Sequence, residues 1–306
     1  MGYALVREES VGDAIRRILD EEISASIAAL ENIDQNQEEA VHAVRKRLKK
    51  IRALLRLVRS EIGAESFGRE NIRYRDIGHR LSHLRDAAVM VRTLDQLKKA
   101  HPKAIPVIFF ARTRARLVER QTRVSEAFLL EKDPLRAVTM AFREARQAGL
   151  ELGIQRDSFA AFTGNLKGIY RRGVKALGTV TRQPSTDHFH ELRKEVKNLW
   201  YHTRLFTPAW PGFFQAYAQE LNALGELLGE DHDLGVLADE IESGRLPFGR
   251  KTTVAKVLSL IRKQRENRQQ RIHPLARRVL AEKAEDFVGR YRLYWNLWRA
   301  EGNAIT

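Results

Sequence analysis

Between Val41 and Ser60 the chain carries eight basic side chains and no acidic one. His42, Arg45, Lys49, Arg52, Arg56 and Arg59 follow one another at intervals of three and four residues. Each residue of an α-helix turns by about 100°, so this set forms one narrow band. Moved back by one residue, the same intervals pick out Val41, Val44, Leu48, Ile51, Leu55 and Val58. One helix is therefore expected to carry an apolar stripe and a cationic stripe side by side. The i,i+4 Glu–Lys pairs that steady a solvated helix are missing, and like charges at that spacing repel. The chemistry such a band can do is anion binding, because an anion in a neighbouring groove offsets the repulsion.

The pattern occurs twice. His42-Ala-Val-Arg45-Lys46-Arg-Leu48-Lys49 lines up with His190-Glu-Leu-Arg193-Lys194-Glu-Val196-Lys197 at an offset of 148 residues. Further on, the block from Gly78 to Val89, with Asp86, lines up with the block from Gly225 to Val236, with Asp233, at an offset of 147. The second cationic band is sparser: His190, Arg193, Lys197 and Arg204, with Trp200 in place of an arginine, beside Phe189, Leu192, Val196, Leu199 and Phe206. A lone basic helix is most often only a solvated one, but the same constellation in two copies favours a binding role. The expected organisation is a single domain over 1–306, built by duplication, with halves of about 1–153 and 154–306. No Gly/Ser-rich or charged linker separates them, so they are expected to pack together.

The elements that must position these bands are helices. Apolar residues at the helical period mark segments near 8–31, 36–61, 68–99, 105–130, 135–152, 157–178, 186–206, 212–242, 250–271 and 274–300. The eight prolines are expected to punctuate these helices rather than enter them, and no stretch alternates as a strand would, so the predicted fold class is all-α. Composition narrows the function. The 306 residues are 43% hydrophobic, enough for a real core, and the absence of cysteine removes disulfides, thiolate nucleophiles and Cys-based metal sites. The longest apolar run, around Val107 to Ala111, is too short to span a bilayer, and the start MGYALVREES has no apolar signal core. A cytoplasmic protein is the expectation. With 54 Lys and Arg against 39 Asp and Glu, the formal charge of +15 points to an anionic partner without naming it.

The twice-present His-x-x-Arg-Lys/x-x-x-Lys pattern in an all-helical chain of this length resembles the CHAD domain, the conserved histidine α-helical domain. Tyr170-Arg171-Arg172-Gly-Val-Lys175-Ala-Leu177 is similar to the family's segment before its second motif, and the blocks at 81–86 and 228–233 also match. The resemblance implies two pseudo-symmetric helical bundles packed into one compact domain, whose motif helices line a basic central groove that binds inorganic polyphosphate. It implies ligand contacts from His42, Arg45, Lys46 and Lys49, and from His190, Arg193, Lys194 and Lys197. The cationic stripes add Arg52, Arg56 and Arg204, and the matched segment adds Arg171 and Arg172. Arg116 and Arg120, on one face of their helix with Arg112 and Arg123, are further candidate walls, as are Arg16 and Arg17. The cluster from Arg262 to Arg278 goes round its helix and is read as a solvated face. Trp200, Tyr201 and His202 make the second half less basic, so unequal contributions are expected.

A linear polyphosphate carries about one negative charge per phosphate and no bases. It needs a row of cations, Arg as a two-pronged donor and Lys as a mobile charge. An eighteen-residue stripe is roughly 27 Å long, enough to follow several phosphates. Imidazolium at His42 and His190 would favour the anion, so affinity is expected to rise as pH falls through the ordinary histidine range.

Other chemistries fit less well. His79 and His83 have an i,i+4 metal spacing, but Arg80 stands where a zinc protease needs Glu, and Arg75 and Arg85 would repel a dication. Glu230-Asp231-His232-Asp233 offers a His–Asp pair of the phosphohydrolase kind, yet only the Asp recurs in the other half, so Asp86 and Asp233 are read as structural partners of cations or helix ends. There is no P-loop and no dinucleotide turn. No cofactor, metal site or catalytic set is expected. Backbone binding to RNA or DNA is the main alternative, and non-specific binding at low salt is expected, but the aromatics sit among apolar neighbours rather than between basic residues. A metal-dependent phosphohydrolase is the lesser alternative. No membrane role is expected. Polyphosphate-metabolising enzymes are candidate partners, and polyphosphate granules a candidate location.

Overall fold

In the computed structural model, which describes residues 2–33, 36–130, 132–243 and 250–303, the chain is all-α, with no strand among the described residues. Twelve helices follow in order: α1 (Val11–Glu31), α2 (Gln37–Leu57), α3 (Arg59–Ile62), α4 (Ala64–Arg80), α5 (Ser82–Ala100), α6 (Val107–Leu130), α7 (Lys132–Leu150), α8 (Ala160–Arg182), α9 (Thr186–Leu205), α10 (Pro211–Glu242), α11 (Lys251–Val279) and α12 (Ala284–Asn303). Among the described residues no helix is long and apolar enough to cross a membrane.

The periodic segments are found as helices, with three departures. The segment 68–99 breaks at Leu81, where Ser82 Oγ bonds back to the carbonyl of His79 and separates α4 from α5. The stripe 41–59 outruns α2, which ends at Leu57 with Val58 as its cap, so Arg59 starts the short α3. Pro274 does not begin a helix but lies inside α11, and a new helix starts only at Ala284. Apolar packing on both sides of Pro274, from Ile272 and Ala276, holds that turn although the ring removes one backbone donor. Pro134 lies in the first turn of α7 and Pro211 opens α10, positions where the missing donor costs nothing. Pro247 falls outside the described residues.

The main core draws on nearly the whole chain, from Tyr3 to Trp298. It includes a nest of rings in which Phe162 meets Phe206 edge-on at 5.4 Å and Trp295 at 5.8 Å. A second core joins α5 and α6 to α10 and α11 through Leu94, Phe109, Leu237, Val257 and Ile261. Neither core is confined to one half of the sequence. The two motif helices pack against each other, α2 also lies on α1 and α4, and α9 lies between α8 and α10.

Candidate functional site

Helix α2 begins with Asn36, whose side chain accepts from the backbone N–H of Glu39, and with acidic Glu38 and Glu39 against the positive helix end. Its apolar stripe, Val41, Val44, Leu48, Ile51, Leu55 and Val58, is buried. That burial turns the adjacent cationic stripe toward the junction with α4, α8 and α9. Helix α9 is built alike: Ser185 caps it by accepting from the N–H of His188, Asp187 sits in the first turn, and Phe189, Leu192, Val196, Leu199 and Phe206 are buried.

Together these helices border a hollow of about 860 Å³. Its lining holds eight Lys and Arg side chains against two carboxylates, Glu191 and Glu195. Lys49, Arg52, Arg56 and Arg59 come from the α2 side, Arg193, Lys194 and Lys197 from α9, and Arg172 from α8. A second hollow of about 400 Å³ continues from it past Lys49, Arg52 and His190. There Arg45, Arg75 and His79 join the lining, and no carboxylate does.

The two sides differ in how their cations are satisfied. On α9 and α8 three of the four are tied to carboxylates: Lys194 to Glu191 at 2.9 Å, Lys197 to Glu226 at 2.9 Å and Arg172 to Glu195 at 3.0 Å. Burial alone would raise the Glu226 carboxyl, but Lys197, with Arg193 and Lys49, holds it below the ordinary range. On α2 the guanidinium groups meet neutral acceptors. Arg45 donates to the carbonyl of Gly78 at 3.1 Å and Arg52 to Asn71 Oδ1 at 3.1 Å. Among the described residues no carboxylate lies within ion-pair distance of Arg45, Arg52 or Arg56. Burial lowers the pKa of all three; nearby Asp86 works against this at Arg45, Arg75 adds to it at Arg52, and Arg56 is brought down to about 10, with Arg52 and Arg172 adding to the effect and Glu195 working against it. Half-buried guanidinium groups with no carboxylate in direct contact are stabilised by an incoming anion.

His190, at the junction of the hollows, has its pKa lowered by burial and then by Arg193 and Lys194. The free protein therefore keeps this imidazole neutral further into acid than an ordinary histidine. This moves the expected gain of affinity to lower pH than the sequence suggested.

The hollows gather Arg45, Lys49, Arg52, Arg56, Arg172, His190, Arg193, Lys194 and Lys197, nine of the candidate residues. Other candidates lie elsewhere. His42 and Lys46 are exposed on α2 and line neither hollow. Arg204 is packed on the rings of Trp200 at 5.0 Å and Tyr3 at 5.7 Å. Arg116 and Arg120 belong to α6, where Arg120 pairs with Glu240 of α10 at 2.9 Å. Arg171 faces Glu285 at 2.6 Å. Arg16 and Arg17 are held by Asp13, Glu9 and Glu21 near the start of the chain.

Some lining residues carry no signal in the motif. Phe67, Asn71 and Arg75 come from α4, and Gly164, Asn165 and Gly168 from α8. Only helix packing brings them to the groove.

The acidic cluster on α10 is engaged by α11. Arg265 grips buried Asp231 through two bonds of 3.1 Å, Gln269 adds a third at 3.1 Å, and Arg268 holds Glu230 at 2.9 Å. Among the described residues no three His, Asp or Glu side chains converge as metal ligands. The side chain of Arg85 lies outside the described residues.

No curated protein matches the chain significantly. A family model described as the CHAD domain matches residues 17–242. Among solved structures, PptA from Streptomyces chartreusis is similar in fold, with a TM-score of 0.63 over 90% of this chain and 100% of that one, at 15% sequence identity.

Proposed function

Because the chain belongs to the CHAD domain family, we propose that its paired hollows bind inorganic polyphosphate, and that the protein acts as a receptor for the chain rather than as an enzyme on it. The observation that carries this reading is the set of half-buried, carboxylate-free guanidinium groups of Arg45, Arg52 and Arg56, in one lining with Lys49, Arg193 and Lys197. A phosphate chain supplies negative charge in direct contact along the whole row. From Arg45 to Arg59 the stripe runs roughly 21 Å, room for several successive phosphates. Arginine offers paired N–H donors to phosphate oxygens, and lysine adds charge that follows a flexible chain. The two carboxylates of the lining, Glu191 and Glu195, are each held by a cation, Lys194 and Arg172, so holding the chain is the chemistry that its groups support.

The test is competition at moderate salt between long-chain polyphosphate and single- or double-stranded nucleic acid of matched charge, with phosphate release followed with and without Mg²⁺. Polyphosphate should win, with no phosphate released. With six or more contacts, and the coefficient of roughly 0.7 per contact found for single strands, the log–log salt slope should be about −4 or steeper. Preference for nucleic acid overturns the reading, and metal-dependent release promotes a phosphohydrolase. Lys49→Glu with Lys197→Glu should abolish tight binding in a folded protein; unchanged affinity would place the site elsewhere.

A further inference from the structure

Two rings at the seam of α9 and α10 are not explained by the cationic lining. The centroids of His190 and His232 are 4.7 Å apart, with their planes inclined by 41°. The Nδ1 atom of each is buried and has no hydrogen-bond partner. Buried polar atoms are nearly always satisfied, so two orphans in one tilted ring pair call for an explanation. His190 lines both hollows, and with Nδ1 sealed it meets them through its Nε2 edge.

A phosphate oxygen accepts only from an N–H. A neutral His190 that binds phosphate must therefore carry its proton on Nε2, which leaves Nδ1 as a bare lone pair in need of a donor. The usual orienting group is a carboxylate, but those nearby are taken: Asp231 by Arg265 and Gln269, and Glu191 by Lys194. Asp187, in the first turn of the same helix, acts on His190 only through space, and Arg193, Lys194 and Arg265 oppose a second proton on the pair. Lys49 and Arg52, from α2, line the same junction as His190. The ring that lies against His190 is that of His232.

We propose that His232 is a positioning residue for His190: its Nδ1–H turns to the Nδ1 of His190 when an anion takes the Nε2–H, and so holds His190 as the Nε2–H tautomer. The inference rests on the phosphate reading of the hollows, and its test keeps the two apart. The full chain, labelled with ¹⁵N in histidine, is compared by long-range ¹H–¹⁵N spectra, free and saturated with inorganic tripolyphosphate. Saturated protein should show His190 as the Nε2–H tautomer and His232 protonated on Nδ1. His232→Phe keeps a stacked ring but no N–H, so His190 should become a tautomer mixture and tripolyphosphate affinity should fall roughly fivefold to tenfold. His232→Gln, which keeps an amide donor, should restore much of both. An Nδ1–H tautomer at His190 in the saturated unmodified protein overturns the proposal without any variant. So does a His232→Phe protein with unchanged tautomer and affinity. If tripolyphosphate does not bind the unmodified protein, the phosphate reading fails, and the anion-dependent pairing that rests on it fails with it.

Discussion

His202 of α9 donates from Nε2 to the main-chain carbonyl of Ala53 in α2, at 2.8 Å and fully buried. The bond ties the two motif helices together at the back of the hollow they line. It needs only one ring proton, and the other nitrogen, Nδ1, is sealed without a partner. Burial, outweighing the bond to Ala53, brings the pKa down from an ordinary 6.5 to about 4, with Arg56 and Arg172 adding to the effect.

This makes the interlock acid-sensitive. The folded protein takes up this proton near pH 4, the unfolded chain near 6.5. Between those values the unfolded state binds more protons, so stability falls as pH falls through the window and is unaffected by this group above it. The loss by pH 4 is about 3 kcal/mol. His202→Gln, which can still donate to Ala53, should show a shallower decline. Denaturant unfolding of both proteins between pH 7 and pH 4.5 measures the difference; a gap that does not change with pH would refute the assignment.

The cations of α2 should separate stability from binding. Arg52→Gln and Arg56→Gln each remove a half-buried charge with no carboxylate partner, so the thermal midpoint should hold or rise. Polyphosphate affinity should fall about tenfold for each, the order of one lost charge-assisted contact. Thermal unfolding and a binding titration on the same samples check the pair of signs. A large loss of stability would mean that these guanidinium groups serve packing.

On the α9 side the opposite change should strengthen binding. Glu226 occupies Lys197 in the free protein and places a negative charge beside the hollow. Glu226→Gln frees the ammonium and removes a charge that repels a polyanion. Affinity should rise several-fold at low salt, with the gain shrinking as salt is added. Unchanged affinity at every salt concentration would show that Lys197 does not reach the ligand.

Gly225 gives Lys197 its seat. A Cβ at this position would come within 2.8 Å of Lys197 Cε and 3.0 Å of Nζ. The obstacle is the far end of a flexible side chain, so Gly225→Ala should displace Lys197 rather than unfold α10, and alanine in a helix recovers about 0.5–1 kcal/mol. The expected outcome is a stable protein with several-fold weaker polyphosphate binding. A matching loss in Lys197→Ala, with no further loss in the double variant, would confirm the route through Lys197.

Much was legible before any coordinates. Apolar spacing marks α2 and α9 as helices with one buried face, and the one-residue offset between stripes puts Arg45, Lys49, Arg52 and Arg56 on the core's edge. The doubled motif with its basic helix pointed to the CHAD family. The break at Leu81 and the passage of α11 through Pro274 were not legible, because neighbouring helices override local preference at both places. Nor was the departure of Arg204 to the rings of Trp200 and Tyr3, or of Arg120 to Glu240: their partners come from other parts of the chain.

By itself, then, the sequence determined the angular order of side chains about each helix, the apolar stripe and the cationic band beside it, because the 3.6-residue turn follows from backbone geometry alone. Apart from Lys194, whose Glu191 lies three residues before it on the same helix, tertiary structure decided which groove cations carry a carboxylate and which do not. Glu226 reaches Lys197 from α10 and Glu195 reaches Arg172 from α9, while Arg56 meets no such partner among the described residues. The charge left over in a groove depends on which helices close it, and that is settled by side chains packing across the core rather than by spacing along any one helix.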